Sequence, residues 1–189
     1  MAKPSPSIPF LQQTQTLSSS SSSSFSETIV KDLPPEITAA VAGFFESVGV
    51  SDPDIDNYNS IDLYSNLLCG HLKAQKIERG RLTCLVSVKP ALGNYFGGTH
   101  GGAVGAIAER VSIATARTVV AQDKELFLGE LSISYLSAAP VNSELLVDGS
   151  VVRSGRNLTV VSMDFKMKET KKLVYTARAT FYNSPIAKL

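Results

Sequence analysis

Tryptophan is absent from this 189-residue chain, and cysteine and histidine each occur only twice. Two cysteines, Cys69 and Cys84, are too few for a disulfide framework. With only two histidines, the chain also lacks a Cys/His cluster of the kind that holds zinc. No run of 18 apolar residues is present, so we do not expect a helix that spans a membrane. A net charge of +1 gives no general reason to expect nucleic acid as a partner.

Several widespread catalytic motifs are also missing. The sequence contains no G-x-x-x-x-G-K-[ST], G-x-G-x-x-G or G-x-S-x-G segment, so phosphate loops, dinucleotide-binding folds and serine elbows have no support. We therefore predict no metal and no cofactor. The chain does contain 43% hydrophobic residues, which is enough for one buried core.

The two ends of the chain differ from its middle. Residues 1–32 predict a disordered tail, because residues 18–24 are all serine and too little apolar surface is available for folding. The alternative for residues 1–26 is an organelle transit peptide, although arginine is absent there. At the other end, Ala187-Lys188-Leu189 resembles the peroxisomal import signal. We expect the peroxisome, with the cytosol and the plastid as alternatives.

Residues 33–189 predict a single domain that begins with a helical extension over about residues 33–68. A strand hairpin, one long helix and four further strands follow, which indicates an α+β fold with an antiparallel sheet wrapped around the helix. The helix begins near Ala103, and the strands are expected at residues 71–78, 82–89, 126–136, 144–153, 158–168 and 173–182.

Residues 93–120 carry the strongest chemical signal. Six glycines fall within residues 93–105, and glycine allows backbone N–H groups to approach a ligand closely. After them, apolar residues at Val104, Ile107 and Val111 follow the spacing of a buried helical face. The pattern predicts a glycine-rich loop that leads into a buried helix.

Glu109 is the exceptional residue of this predicted helix. Its neighbours on the same helical face are small or apolar, and a carboxylate there is costly unless it is used or paired. The alternative interpretation is a residue at the edge of the apolar face, beside Arg110. A carboxylate at this position suits the activation of water.

Polar groups precede this helix. Asn94 supplies an amide, His100 an imidazole, and Gly101 and Gly102 supply backbone N–H groups at a helix N-terminus, where a developing oxyanion is stabilised. Gly101 and Glu109 are separated by ~12 Å of helix, so one carbonyl carbon cannot lie within ~3–4 Å of both groups. If both groups act on one bond, they come from two copies of the chain, which predicts an obligate dimer.

Asn94, the sequence Thr99-His100-Gly101-Gly102 and an acid at position 109 resemble the motif of the hotdog-fold acyl-CoA thioesterases. The phenylacetate-type and mammalian mitochondrial-type members are the most similar, and the resemblance covers about residues 69–182. It implies a hotdog fold, a curved antiparallel sheet around one long central helix. It also implies acyl-CoA as the partner and an assembly of at least a homodimer, with a homotetramer, a dimer of dimers, as the expected form.

The resemblance assigns CoA contacts to Gly102 and to two later segments. One follows the helix and the other is a turn between strands. The implied substrate- and CoA-binding residues are Gly102, Tyr135, Leu136, Ser137, Ala138, Ala139, Pro140, Arg153, Ser154, Gly155, Arg156, Asn157 and Leu158.

Hydrolysis of a fatty-acyl or aromatic acyl-CoA is the implied reaction. The Gly101 N–H, helped by Asn94, would polarise the thioester carbonyl, while Glu109 activates water or attacks directly. His100 is expected to order the loop.

Leu128 departs from the resembled motif, because the mammalian members have a water-holding serine there. Ser132 or Ser112 is the alternative holder of the water. Two other functions stay open: a hydratase or dehydratase that acts on acyl thioesters, and a non-catalytic acyl-CoA binding module.

Overall fold

The computed structural model describes residues 70–185 continuously, together with residues 35, 37, 39, 65, 67 and 68. The chain divides into two compact units, Met1–Ile55 and Asp56–Leu189. In the first unit the described residues Pro35, Ile37 and Ala39 have helical backbone. The predicted serine-rich tail and the C-terminal import signal lie outside the described residues.

Among the residues described from 70 to 185, the second unit contains six strands and one long helix, and before them Ser65, Leu67 and Leu68 also have helical backbone. The helix α1 spans Gly101–Arg117, and a single 3₁₀ turn at Pro90–Leu92 precedes it. The strands are β1 (Leu72–Glu78), β2 (Arg81–Ser87), β3 (Lys124–Tyr135), β4 (Glu144–Ser154), β5 (Leu158–Met167) and β6 (Leu173–Pro185).

All six strands belong to one antiparallel sheet in the order β1-β2-β4-β5-β6-β3. The predicted α+β fold, a curved antiparallel sheet with one long helix, is confirmed. Strand boundaries differ from the predicted ones by at most three residues. The largest difference is at β6, which continues to Pro185 because β3 pairs with it as far as Lys124.

The core lies between α1 and one face of the sheet. Alternating residues of the strands face the helix, as a half-buried strand requires. Phe165 and Phe181 are fully buried, and each such side chain contributes roughly 1.5–3 kcal/mol. The predicted apolar face of α1, at Val104, Ile107 and Val111, is buried as well.

Gly149 on β4 allows the helix to approach the sheet closely. A Cβ atom at this position would come within 2.3 Å of Thr115 Oγ1 on α1. The Thr115 hydroxyl bonds back to the Val111 carbonyl, so it cannot move away without losing that hydrogen bond. The helix is therefore seated directly over β4.

Cys84 lies on the core side of β2. Burial raises the pKa of its thiol above the ordinary value, which keeps the group protonated and unreactive at neutral pH. Cys84 is thus a packing residue. Within the described residues, no helix is long and apolar enough to cross a membrane.

The strand β3 forms one edge of the sheet, since it pairs only with β6 among the described strands. Leu126, Leu128, Leu131 and Ile133 of this strand pack against the core. Phe127 points to the opposite face and is 66% exposed. An edge strand of 12 residues offers a free row of backbone donors and acceptors to another strand.

Candidate active site

The side chain of Asn94 shapes the loop of residues 93–99 that precedes α1. Its Oδ1 accepts hydrogen bonds from the Phe96 N–H (3.0 Å) and the Gly98 N–H (3.1 Å). Its Nδ2 donates to the Thr99 carbonyl (3.3 Å). At Gly97 the chain reverses with φ of +77°, a conformation that favours glycine. Asn94 therefore closes the loop, and one amide hydrogen of Nδ2 stays available for a ligand.

Backbone contacts join this loop to the segment after β3. The Ala139 carbonyl accepts from both the Thr99 N–H (2.8 Å) and the Thr99 hydroxyl (3.0 Å). The Ala139 N–H donates to the Tyr175 hydroxyl (3.1 Å), and Ala139 and Tyr175 are both buried. The loop is thus fixed to β6 through Ala139.

His100 is the N-cap residue of α1. Its backbone is extended, with φ of −66° and ψ of 131°, and its Nδ1 accepts a hydrogen bond from the Gly102 N–H (3.0 Å). Because Nδ1 is the acceptor, the neutral ring carries its hydrogen on Nε2. The side chain therefore orders the start of the helix, whereas the sequence analysis expects it to order the loop.

Gly101, the first helical residue, has no hydrogen-bond partner for its N–H among the residues that the structure describes. The preceding His100 carbonyl accepts from Val104 N–H (3.1 Å), which polarises the same peptide group. The Tyr135 hydroxyl donates to the Gly101 carbonyl (3.0 Å). The geometry leaves one oriented donor at the positive end of the helix, and such a donor suits an oxyanion.

Glu109 lies on α1, about two turns beyond Gly101. Its side chain is half-buried, and its carboxylate forms no hydrogen bond or ion pair with residues in the described part of the chain. Arg110, the alternative neighbour, donates to Ser65 Oγ instead. Glu109 shares a helical face with Gly102 and Ala106.

An apolar cavity of about 230 Å³ opens on that face. Leu67 and Leu68 form one wall, the 3₁₀ turn forms another, and His100, Gly102 and Ala106 complete it. The cavity therefore adjoins the helix N-terminus and faces the side on which Glu109 lies. Residues 67 and 68 belong to the predicted helical extension.

The candidates for holding the water differ in position. Ser112 is fully buried, and its hydroxyl donates to the Glu109 carbonyl (2.8 Å). Ser132 is exposed, between Leu131 and Ile133, which both face the core, so Ser132 points away from α1. Ser132 therefore does not face α1 of its own chain, and its role as a holder of the water stays a prediction. Leu128 packs against the core.

The segment of residues 135–140 lies beside the loop, as expected for parts of one site. The Leu136 and Ser137 N–H groups both donate to the Val174 carbonyl, and Lys172 Nζ donates to Ser137 Oγ (2.9 Å). Pro140 forms an isolated antiparallel β-bridge with Gly98. Leu136 and Ala138 are exposed, so they are accessible to a ligand.

The turn of residues 153–158 lies at the other end of the sheet, away from the loop and the N-terminus of α1. It joins β4 to β5 at the end of the sheet where Asn183 and Lys124 lie, whereas Tyr135 and Tyr175 mark the opposite end. Eight residues of β6 separate Tyr175 from Asn183, or roughly 26 Å at ~3.3 Å per residue. Within one chain, the structure therefore brings together the loop, α1 and residues 135–140, but not this turn.

The sequence analysis assigned no structural role to three residues whose polar side chains are buried. Thr99 and Tyr175 hold Ala139, and Asn183 holds the turn 153–158. The sequence signal for Thr99 is its place in the motif Thr99-His100-Gly101-Gly102. Tyr175 and Asn183 sit on buried positions of β6, and nothing in the alternating pattern distinguishes them from core residues. Among the described residues, no group of three or more His, Cys, Asp or Glu side chains forms a candidate metal site.

Part of this domain is similar to known proteins. Residues 96–174 match the model described as the thioesterase superfamily. Human acyl-coenzyme A thioesterase 13 is 25% identical over 101 residues, which cover 53% of this chain and 71% of the human protein.

Solved structures of similar shape agree with the family match. Zebrafish thioesterase superfamily member 2 has a TM-score of 0.61 at 18% identity, covering 72% of this chain and 97% of that chain. A Streptococcus mutans protein bound to acetyl CoA has a TM-score of 0.53 at 26% identity, covering 62% of this chain and 91% of that chain. Residues 96–174 of this chain are therefore similar to the thioesterase superfamily, and the domain that contains them has the hotdog fold.

Proposed function

We propose that this protein hydrolyses acyl-CoA thioesters to a free acid and CoA. The observation that carries the proposal is the unpartnered Gly101 N–H at the N-terminus of α1. It lies in a domain whose relative is named an acyl-coenzyme A thioesterase and whose structural neighbour holds acetyl CoA. A single oriented donor at a helix N-terminus is suited to the carbonyl oxygen of a thioester.

Two groups carry out the proposed reaction, the Glu109 carboxylate and the Gly101 N–H. Glu109 accepts a proton from water, and the water oxygen attacks the thioester carbon. The negative charge that develops on the carbonyl oxygen is stabilised by the Gly101 N–H and by the remaining hydrogen of Asn94 Nδ2. The C–S bond then breaks, and CoA leaves as the thiol after it takes up a proton.

The two groups come from different chains. Gly101 and Glu109 lie on one continuous helix, so ~12 Å of rise separates them and one thioester carbon cannot reach both in the same protomer. A second copy paired antiparallel along the free edge of β3 would reverse the direction of α1 and carry its own Glu109 towards the first Gly101. The minimal active unit is therefore a homodimer, and the expected homotetramer would contain two such dimers.

The turn of residues 153–158 is far from the N-terminus of α1 in its own chain, but the same two-fold arrangement would bring it to the site of the partner chain. Antiparallel pairing along β3 places Tyr135 of one chain opposite the end of the partner's β3 that contains Lys124. The partner's turn 153–158 lies at that end, since Leu126 pairs with Asn183. Its Arg153 and Arg156 would then face the CoA of the first chain's site, where guanidinium groups suit phosphates.

The acyl group occupies the apolar cavity beside His100 in this proposal. Leu67, Leu68 and Ala106 supply a lining that suits fatty-acyl and aromatic acyl groups alike. The class of substrate is therefore an acyl-CoA with an apolar acyl group.

We expect the purified full-length protein to release free thiol from medium-chain, long-chain or aromatic acyl-CoA esters. A thiol-reactive dye measures the release, and mass spectrometry of the acid product identifies hydrolysis. Saturated and 2-enoyl esters are compared, because a hydratase consumes the enoyl ester without releasing thiol. Tight acyl-CoA binding with neither thiol release nor hydration would instead identify a binding module and contradict the proposal.

A further inference from the structure

The turn of residues 153–158 is exposed, but the side-chain amide of Asn183 beneath it is buried. Every residue from Arg153 to Asn157 is exposed, and the turn is closed by the Gly155 N–H, which donates to the Leu158 carbonyl (2.8 Å). Beneath it, Asn183 of β6 is only 7% exposed. An exposed, glycine-containing turn thus lies over one buried polar side chain.

Asn183 holds the turn through three hydrogen bonds. Its Nδ2 donates to the Gly155 carbonyl (3.0 Å) and to Thr159 Oγ1 (3.0 Å), and its backbone N–H donates to the Asn157 carbonyl (2.9 Å). Thr159, itself fully buried, also contacts Ser154 Oγ (3.1 Å). The amide orientation is fixed, because a flipped amide would bring Oδ1 against the Gly155 carbonyl.

The network spans the whole turn. It reaches Ser154 through Thr159, then Gly155 directly, and then Asn157 through the backbone. The side chains of Arg153 and Arg156, which flank these points, have no ion-pair partner in the described residues. Their separation and direction are therefore set by the turn and not by a carboxylate.

The unfavourable burial of the Asn183 amide oxygen indicates that the role of Asn183 is to fix the position of the turn. Asn183 Oδ1 is buried without any hydrogen-bond partner among the described residues, and such an atom is unfavourable for folding. An apolar side chain of similar size would fill the site without that penalty. What the amide adds is a fixed turn geometry.

We infer that Asn183 is a positioning residue for phosphate recognition: it holds the turn 153–158 so that Arg153 and Arg156 grip the nucleotide phosphates of CoA. The inference rests on the proposed function. It assigns to β6 a residue that contacts neither the thioester nor the phosphates but determines the affinity for the nucleotide part of the substrate.

Asn183→Leu removes the amide and keeps the volume. We expect KM for acyl-CoA to rise roughly tenfold, with kcat changed by less than about twofold, because only the hold on the phosphates is lost. The same acyl group on N-acetylcysteamine, a thioester without phosphates, should be hydrolysed as fast as by the unaltered protein. Lys73→Gln, which removes an exposed cation from β1, is the matched control and should change neither KM.

A double-mutant cycle supplies a readout that a purely structural role would not move. Arg156→Gln should raise KM in the unaltered protein but hardly at all in the Asn183→Leu background, because the guanidinium is no longer held in place. Thr159→Val, which removes one of the two acceptors of Asn183 Nδ2 and the contact with Ser154 Oγ, should also raise KM and carries the test if Asn183→Leu does not fold.

Outcomes separate this inference from the proposed function. If the unaltered protein hydrolyses neither thioester, the proposed function fails. If it hydrolyses both, and Asn183→Leu and Thr159→Val either match it or lose equal activity on both thioesters, Asn183 does not position the turn for phosphates and the inference alone is overturned.

Discussion

Gly101→Pro should reduce kcat for acyl-CoA hydrolysis by roughly 10²- to 10³-fold while leaving the fold intact, as expected when one oxyanion donor is removed. Gly101 is the first residue of α1, the position at which proline is best tolerated in a helix. His100 before it already has the extended backbone that proline requires of its predecessor. The substitution therefore deletes the N–H donor and little else.

Gly101→Ala is the matched control. A Cβ atom at this position would lie 3.5 Å from the Tyr135 hydroxyl, an ordinary contact, and the N–H is retained. We expect Gly101→Ala to keep most of its turnover. Comparable losses in both variants, with circular dichroism and thermal unfolding unchanged, would mean that space beside Tyr135 matters and that the N–H donor does not.

Glu109→Gln should lower kcat by roughly 10²-fold or more and change KM much less, because a general base acts in the transition state. The glutamine has the same shape, and the Glu109 carboxylate has no partner among the described residues that would be lost with it. Steady-state kinetics on the best ester of the panel measure both parameters.

Glu78→Gln is the control for loss of a carboxylate. Glu78 lies on β1, near Thr118 at the end of α1 that is opposite to Gly101, and its surface ion pair with Lys76 (3.0 Å) is of a kind that contributes little. Its kinetics should be those of the unaltered protein. Near-normal turnover of a folded Glu109→Gln variant would remove Glu109 from the mechanism.

The arrangement of strands and helix was predictable from the sequence because each element obeys a local rule. Strand alternation at Leu82, Cys84 and Val86, and the helical spacing of Val104, Ile107 and Val111, each mark a face that is buried in the structure. Such faces leave few arrangements for one helix and six antiparallel strands. The extension of β6 to Pro185 depends on its pairing with β3, which no local rule contains.

The candidate site was predictable where the chain is continuous and unpredictable where distant parts meet. Backbone donors at a helix N-terminus are predicted at Gly101 and Gly102, which directly precede the helical spacing, whereas the cap formed by His100 is not predicted. The hydrogen bonds of the Asn94 side chain depend on how the loop of residues 93–99 folds, and the contact of Thr99 with Ala139 depends on the position of the segment after β3. The face of β3 on which Ser132 lies cannot be counted from Leu128, because an irregularity between Leu128 and Glu130 shifts the register of the strand.

The central claim is that each site takes its oxyanion donor from one chain and its carboxylate from another. Gly101→Pro and Glu109→Gln, each nearly inactive alone, provide the test when equal amounts are mixed under conditions that exchange subunits. In a hybrid dimer, one site combines the intact Gly101 of one chain with the intact Glu109 of the other, and the second site carries both lesions.

With random exchange, half of the dimers are hybrids and half of their sites are intact, so about a quarter of the unaltered activity should return. Differently tagged chains and native mass spectrometry establish how far exchange has proceeded. Recovery of about a quarter of the activity, in proportion to the hybrid fraction, is the predicted result. No recovery despite complete exchange would contradict the account, because a site built within one chain would carry a lesion in every protomer.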